Sequence, residues 1–174
     1  MLAAFAKMIS TGSHPDPILL SPEEETEHVG ESLRAAIKEL YGGRALHIRH
    51  VDAGSTNGEE YELTALGNAF YDADRFGISF VASPRHADIL TVSGPVTRNM
   101  AHALKTAYDQ TPAPKIVVAV GDGAATGGIW KDSYAVVGPV DAVIPVDFVI
   151  PGDPPSPRDI LVGLRSAILA ARHS

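Results

Sequence analysis

Apolar residues at helical spacing, together with residues that start and stop helices, predict four helices along this chain. The first begins at Ser21, where a serine, a proline and Glu24 form a helix-starting pattern, and it ends at Gly42-Gly43. The other three are predicted over residues 59–70, 95–110 and 156–171. In the helix over 59–70, the residues expected to face the core are Tyr61, Leu63, Leu66 and Phe70.

Short apolar runs between these helices are of the kind that a sheet buries on both faces. They predict strands over residues 45–51, 77–82, 89–93, 115–120 and 142–149. Because strands alternate with helices, we expect an α/β fold: a doubly wound, mostly parallel, flavodoxin-like sheet with helices on both faces. Residues 21–174 are predicted to form this single domain. Residues 1–20, which contain several prolines and serines, are predicted to form an N-terminal arm.

Four loops rich in glycine or proline follow the predicted strands. Parallel strands end at one edge of the sheet, and ligands of such folds bind there, at the switch point of the strand order. We therefore expect the loops to meet at that edge. They cover residues 54–60, 94–98, 122–128 and 151–155.

Composition narrows the possible functions. The chain of 174 residues has a net charge of −7 and no run of Lys or Arg, which argues against nucleic acid as a partner. No apolar stretch reaches the roughly 18 residues that span a bilayer. The first residues lack the features of a signal peptide, so we expect the protein to be located in the cytoplasm. The chain contains no cysteine, which excludes disulfides and thiolate-bound metals.

Residues 85–100, with the sequence Arg-His-Ala-Asp-Ile-Leu-Thr-Val-Ser-Gly-Pro-Val-Thr-Arg-Asn-Met, carry a resemblance to a known family. They resemble the small subunit of nickel–iron energy-converting (group 4) hydrogenases and the homologous B subunit (20 kDa) of respiratory complex I. The similarity continues through residues 107–109, 118–122, 127–128 and 146–155, and it covers about residues 45–172. The order and the spacing of the motifs both match.

That family holds a [4Fe–4S] cluster through four cysteines. The resemblance places the ligand positions of the hydrogenase pattern at Thr56, Glu59, Gly123 and Asp153. The complex I pattern has adjacent cysteines, which would fall on Gly58 and Glu59. No position retains sulfur, so the resemblance implies a degenerate cluster site, no cofactor and no redox function in this chain.

What remains heritable from the family is its fold and its subunit contacts. The resemblance implies a cluster-free structural subunit that bridges a hydrogenase-like large subunit to the membrane arm of a complex-I-like or hydrogenase-related ion-translocating assembly. Further expected partners are membrane subunits and a ferredoxin-like subunit. The expected location is the cytoplasmic side of the cell membrane, held through partners. No catalytic residue is expected, and the interface candidates are Arg85, Arg98 and Gly128.

Two other functions stay open. In the first, the chain is part of an oxidoreductase of the hydrogenase or NADH-quinone oxidoreductase type, and the redox chemistry lies in partner subunits. Alternatively, it would be a flavodoxin-style module that binds a flavin or a nucleotide. Against the second, residues 121–128 lack the Gly-Lys-Ser/Thr ending of a phosphate-binding loop, and Asp122 would repel phosphate, which favours a tight turn.

Acidic residues surround the predicted loops. If they converge, they would bind Mg²⁺ or Ca²⁺ or carry protons. Otherwise Glu59 and Asp153 would cap helix starts or fill the vacated volume. These acidic residues are Asp52, Glu59, Glu60, Asp122 and Asp153. Because two of the loops meet at one edge, we expect the charges of Glu59 and Asp153 to interact. The histidines show no metal-ligand spacing with these carboxylates, and His47 and His50 are expected on opposite faces of a strand.

Overall fold

The computed structural model describes residues 21–171, and the predicted arm over 1–20 lies outside the described residues. The helices are α1 (Pro22–Tyr41), α2 (Gly58–Ala65), α3 (Arg98–Gln110), α4 (Asp122–Thr126) and α5 (Pro157–Ala171). The strands are β1 (Leu46–Asp52), β2 (Ile78–Phe80), β3 (Ile89–Ser93), β4 (Val96–Thr97), β5 (Ile116–Val120), β6 (Val136–Gly138) and β7 (Phe148–Ile150). Short 3-10 turns connect several of them.

Helix α1 begins and ends where the sequence predicts. The hydroxyl of Ser21 accepts a hydrogen bond from the backbone N–H of Glu24 at 3.2 Å. The Glu24 carboxylate in turn accepts one from the backbone N–H of Ser21 at 2.7 Å. Gly42 follows the last turn in the left-handed conformation, with φ of 66°. Both ends thus satisfy backbone groups that the helix itself cannot pair.

The described part of the chain contains a sheet of five strands in the order β2-β1-β3-β5-β7. Each neighbouring pair is parallel. This is the strand order of flavodoxin-like folds, with the switch point between β1 and β3. The prediction of a doubly wound parallel sheet is confirmed.

Helices cover both faces of this sheet, and each face has its own core. On one face, apolar residues of α1 and α5 such as Leu33 and Leu164 pack on Ile48 and Val118. On the other face, Leu104 of α3 packs with residues of β3, β5 and α4. The sheet is therefore buried on both sides, which explains why its strands are nearly continuous apolar runs.

Two predicted helices have different boundaries. The helix predicted over 59–70 ends at Ala65, because the side chain of Asn68 accepts hydrogen bonds from the backbone of Phe70 and Tyr71 and turns the chain. Tyr61 and Phe70, expected in the core, are 71% and 43% exposed. The helix predicted over 95–110 begins only at Arg98.

The strands differ from the prediction in two respects. Val96 and Thr97 form β4, which pairs antiparallel with β6 in a separate two-stranded sheet that the sequence pattern did not predict. The strand predicted over 142–149 is reduced to β7, because residues 140–142 form a 3-10 turn. Within residues 21–171, no helix combines the length and the apolar character needed to cross a bilayer.

Helix α5 lies close to the sheet at Gly163. A Cβ atom added there would lie 2.5 Å from Cγ1 of Ile150, the last residue of β7. We expect Gly163→Ala to lower the free energy of unfolding by roughly 1–3 kcal/mol through overpacking. This would occur although alanine favours a helix over glycine by about 1 kcal/mol.

Chemical denaturation of the four members of a double-mutant cycle with Ile150→Val would measure this effect. Valine lacks the terminal methyl group of isoleucine, so the double variant should recover part of the lost stability. A Gly163→Ala variant that is as stable as the parent would contradict the close contact.

Candidate functional site

The four loops that follow the strands meet at one edge of the sheet, as predicted. A Cβ atom on Gly94 would lie 2.2 Å from the backbone nitrogen of Ser55, and one on Gly58 would lie 3.4 Å from Cγ of Pro154. A Cβ on Gly123 would lie 3.1 Å from Cδ of Pro95. The loops therefore contact one another directly. We refer to loops 54–60, 94–98, 122–128 and 151–155 together as the loop face.

Two of the acidic residues hold these loops in place. One carboxylate oxygen of Asp52 accepts hydrogen bonds from the backbone N–H groups of Gly54 and Ser55, both at 2.8 Å. The Asp122 carboxylate accepts one from the N–H of Gly152 at 2.9 Å, and its own N–H donates to the carbonyl of Gly152 at 2.7 Å. These two carboxylates satisfy backbone N–H groups of the loops.

Glu60 is the centre of a polar network at the switch point between β1 and β3. Its carboxylate accepts short hydrogen bonds from the hydroxyls of Ser55 and Ser93, and it contacts Nε2 of His50 at 3.2 Å. Nδ1 of His50 contacts the Thr91 hydroxyl at 3.1 Å. Burial by itself would raise the pKa of Glu60, but the hydrogen bonds outweigh burial and lower its pKa to about 2. Glu60 is therefore a stable anion.

Glu59, its neighbour in α2, has the opposite environment. The residue is 3% exposed, and its Oε2 atom is buried without a hydrogen-bond partner. Its Oε1 atom would lie 2.5 Å from a Cβ on Gly121, so the carboxyl rests against the backbone of that glycine. Burial raises the pKa of Glu59, and its own backbone N–H offsets only part of the rise. Nearby negative charges raise this pKa further.

The charges that act on Glu59 come from Glu60, Asp153 and Asp52, in that order. The expected interaction between the charges of Glu59 and Asp153 is therefore confirmed. Asp153 itself is exposed in the loop after β7. Within residues 21–171, no three His, Asp or Glu side chains are placed to hold a metal ion. The divalent-cation hypothesis thus finds no support there.

The residues at the family's ligand positions do not suit an iron–sulfur cluster. Thr56 is exposed, Glu59 is buried, Gly123 has no donor atom, and a side chain there would press on Pro95. Such clusters need thiolates, and the chain has none. In addition, the Glu59 carboxyl fills the space against Gly121.

The interface candidates are not all on the loop face. Gly128 lies beside Gly123, and the backbone N–H of Arg98 donates to the carbonyl of Ala135 at 2.8 Å. Arg85 precedes β3 and donates to Gln110 at 2.9 Å, at the far end of α3. Since α3 has 13 residues, about 20 Å separates its two ends. Arg85 and Arg98 therefore lie at opposite ends of α3.

Sequence reasoning missed two features of this region. The first is the contact between His50 and Glu60, because a strand residue and a helix residue across a loop have no characteristic spacing. The second is an apolar surface formed by the segment after α4, which pairs with the loop face through β6 and β4. Ile129 and Tyr134 are 86% and 89% exposed there. We call residues 129–137 the apolar segment; its large exposed side chains are Ile129, Trp130, Tyr134 and Val137.

Comparison with known proteins identifies relatives over most of the chain. Residues 57–167 match the family described as NADH ubiquinone oxidoreductase, 20 kDa subunit. The chain is 46% identical to the probable membrane-bound hydrogenase subunit mbhJ of Pyrococcus furiosus, over 72% of this chain and 75% of the relative. It is 40% identical to formate hydrogenlyase subunit 7 of Escherichia coli, over 87% of this chain and 58% of the relative.

A solved structure is also similar. It is a chain of the membrane-bound sulfane sulfur reductase, an archaeal respiratory membrane complex. The TM-score is 0.67 at 32% sequence identity, with 83% of this chain and 77% of that chain covered. The similarity thus extends from sequence to fold.

The Glu60 network predicts how stability depends on pH. Because its pKa of about 2 lies below the ordinary value of about 4.3, the anion stabilises the folded state above pH ~4.3. This contribution, on the order of 2–4 kcal/mol, is lost as the pH falls from about 5 toward 2. Glu60→Gln should remove it, so the stability difference between parent and variant should shrink over that range.

Urea denaturation at a series of pH values measures this difference. Glu62→Gln, the same exchange on the same helix, is the matched control. A Glu60→Gln variant that follows the pH dependence of the parent would show that the network does not hold the anion.

Proposed function

The chain belongs to the family of the 20 kDa subunit of NADH-ubiquinone oxidoreductase, and from this premise we propose that it is a cluster-free structural subunit of a complex-I-like, hydrogenase-related membrane assembly. In this role it bridges a hydrogenase-like large subunit to the membrane arm. The family is one of oxidoreductase subunits. Any redox chemistry of the assembly then lies in partner subunits.

The kinds of protein to which the relatives belong support this role. They include subunits of a membrane-bound hydrogenase and of formate hydrogenlyase, and a chain of a respiratory membrane complex. Since no helix in residues 21–171 is long and apolar enough to span a membrane, attachment through membrane subunits accounts for the role. We place the chain on the cytoplasmic side, with a ferredoxin-like subunit as a further partner.

The observation that carries the proposal is the apolar segment beside the loop face. Ile129 and Tyr134 lie almost fully in solvent in the isolated chain. Several large apolar side chains exposed within one short segment mark a surface that a partner covers. Arg98 is exposed beside them and would supply a charge at the rim. We assign this surface to the large subunit.

A flavin or nucleotide site at the switch point has little room. The loops contact one another through backbone at Gly94 and Gly123, and the Glu59 carboxyl fills the space against Gly121. The acidic residues around the loops would also repel a phosphate. No specific observation favours this alternative function.

The first test concerns cofactor content. We expect the protein, purified anaerobically, to be colourless and to contain no stoichiometric iron or acid-labile sulfide, because no thiolate is available. Absorption spectra with iron and sulfide assays measure this, and a family member with four cysteines, purified in parallel, is the control. One cluster per chain would overturn the cluster-free proposal.

The second test concerns the interface. A substitution at Gly128 would be ambiguous, because this residue has φ of +55° and a Cβ atom would lie 3.3 Å from Cα of Gly123. Exposed side chains avoid this strain. The double variant Ile129→Asp/Tyr134→Asp should leave the fold intact and reduce recovery of the large subunit from native membranes roughly tenfold or more.

Ala103→Asp places an aspartate at an exposed position of α3, away from the apolar segment, and is the control. Circular dichroism establishes that each variant is folded, and mass spectrometry of the tagged complex quantifies the companion subunits. If the folded double variant recovers as much large subunit as Ala103→Asp does, the apolar segment is not the interface.

A further inference from the structure

We propose that the buried Glu59 carboxyl, at the position where the resemblance places a cluster ligand, is a proton-binding site. The proposal concerns the chain itself and does not require the assembly. The chemistry at this ligand position would thus have changed from sulfur that binds iron to an acid that binds a proton.

The position of the side chain is the first support. Glu59 is 3% exposed, its Oε2 has no hydrogen-bond partner, and its Oε1 rests against the backbone of Gly121. An ionised carboxylate needs donors for its oxygens, and leaving one buried without them is costly. A protonated carboxyl in the same place carries no net charge. The geometry therefore favours the acid over the anion.

The surrounding charges are the second support. On its own helix Glu60 is anionic, and the loops beside it contribute Asp52 and Asp153. Asp122, next to Gly121, is committed to the backbone of Gly152. These four residues are all acids, so their charges oppose a further negative charge on Glu59. This agrees with the upward direction of the pKa of Glu59.

The charged residues at the start of α5, which contacts α2, are engaged elsewhere. Arg158 forms an ion pair with Glu25 at 2.8 Å, and Asp159 accepts a hydrogen bond from the hydroxyl of Ser156 at 2.6 Å. Arg158 is therefore not available to neutralise Glu59, and Asp159 is itself an acid. The structure thus offers no compensating cation from this side.

The burial of the Glu59 carboxyl limits which ligands can bind there. The unpartnered oxygen is buried, so a side chain of another subunit cannot reach it without rearrangement. A divalent cation needs six or more oxygen ligands, and the described residues bring no group of three acidic or histidine side chains together for it. A proton neutralises the carboxylate without further ligands.

The sign of the pH dependence follows. A buried acid whose pKa is raised in the folded state stabilises that state fully below its ordinary value of about 4.3, and it costs stability as the pH rises through the folded pKa. Glu59→Gln keeps the shape and removes the ionisation. The variant should therefore gain stability relative to the parent as the pH rises, which is opposite to the expectation for Glu60→Gln.

The direct experiment is a ¹³C NMR titration of the full chain labelled at the glutamate side-chain carboxyls. We expect one glutamate resonance to titrate above the ordinary range, to vanish in Glu59→Gln and to persist in Glu60→Gln. Asp153→Asn leaves the Glu59 carboxyl untouched and removes a neighbouring charge, so it should shift this titration to lower pH. This variant keeps the test valid if Glu59→Gln does not fold.

A Glu59 resonance that titrates at or below the ordinary glutamate range would overturn the proposal, as would a high titration that persists in Glu59→Gln. A titration unchanged by Asp153→Asn would contradict the role of the surrounding charges. Because these measurements use the chain alone, they are independent of whether the large subunit binds the apolar segment.

Discussion

Carboxylates hold the carboxyl edge of the sheet together, and the shape of the loop face depends on them. Asp52 anchors the loop after β1, and Asp122 ties the loop after β5 to the loop after β7. Glu60 joins α2 to the loop after β1 through Ser55 and to the end of β3 through Ser93. Here the backbone N–H groups and hydroxyls are satisfied by acids of the chain itself.

Two adjacent glutamates divide the chemistry of this edge between them. Glu60 accepts three hydrogen bonds and is held as an anion, whereas Glu59 points into a space that offers none to Oε2. Neighbouring acids in one helix turn destabilise each other when both are charged. The anion of Glu60 is thus one reason why Glu59 favours its neutral form. Such a pair, with pKa values driven apart by environment, is the arrangement that proteins use to place an acid beside a base.

The sequence was sufficient for the features that depend on local patterns. The capping box at Ser21 and the apolar runs predicted α1 and the central strands, and the alternation of elements predicted the doubly wound sheet. It was insufficient where tertiary contacts decide. β4 has two residues and exists only because β6 pairs with it. The end of α2 depended on the side chain of Asn68, although the Gly67-Asn68 pair is itself a recognisable turn sequence.

The candidate site was also predictable only in part. Convergence of the loops was predictable, because parallel strands end at one edge. The different environments of Glu59 and Glu60 were not predictable, because both residues begin the same helix and only their tertiary neighbours distinguish them. This difference also bears on why the loops retain their shape. The acids and the close contacts at Gly94 and Gly121 hold these loops against one another. Loops that are already held in place beside the exposed apolar segment lower the cost of ordering them when a partner binds.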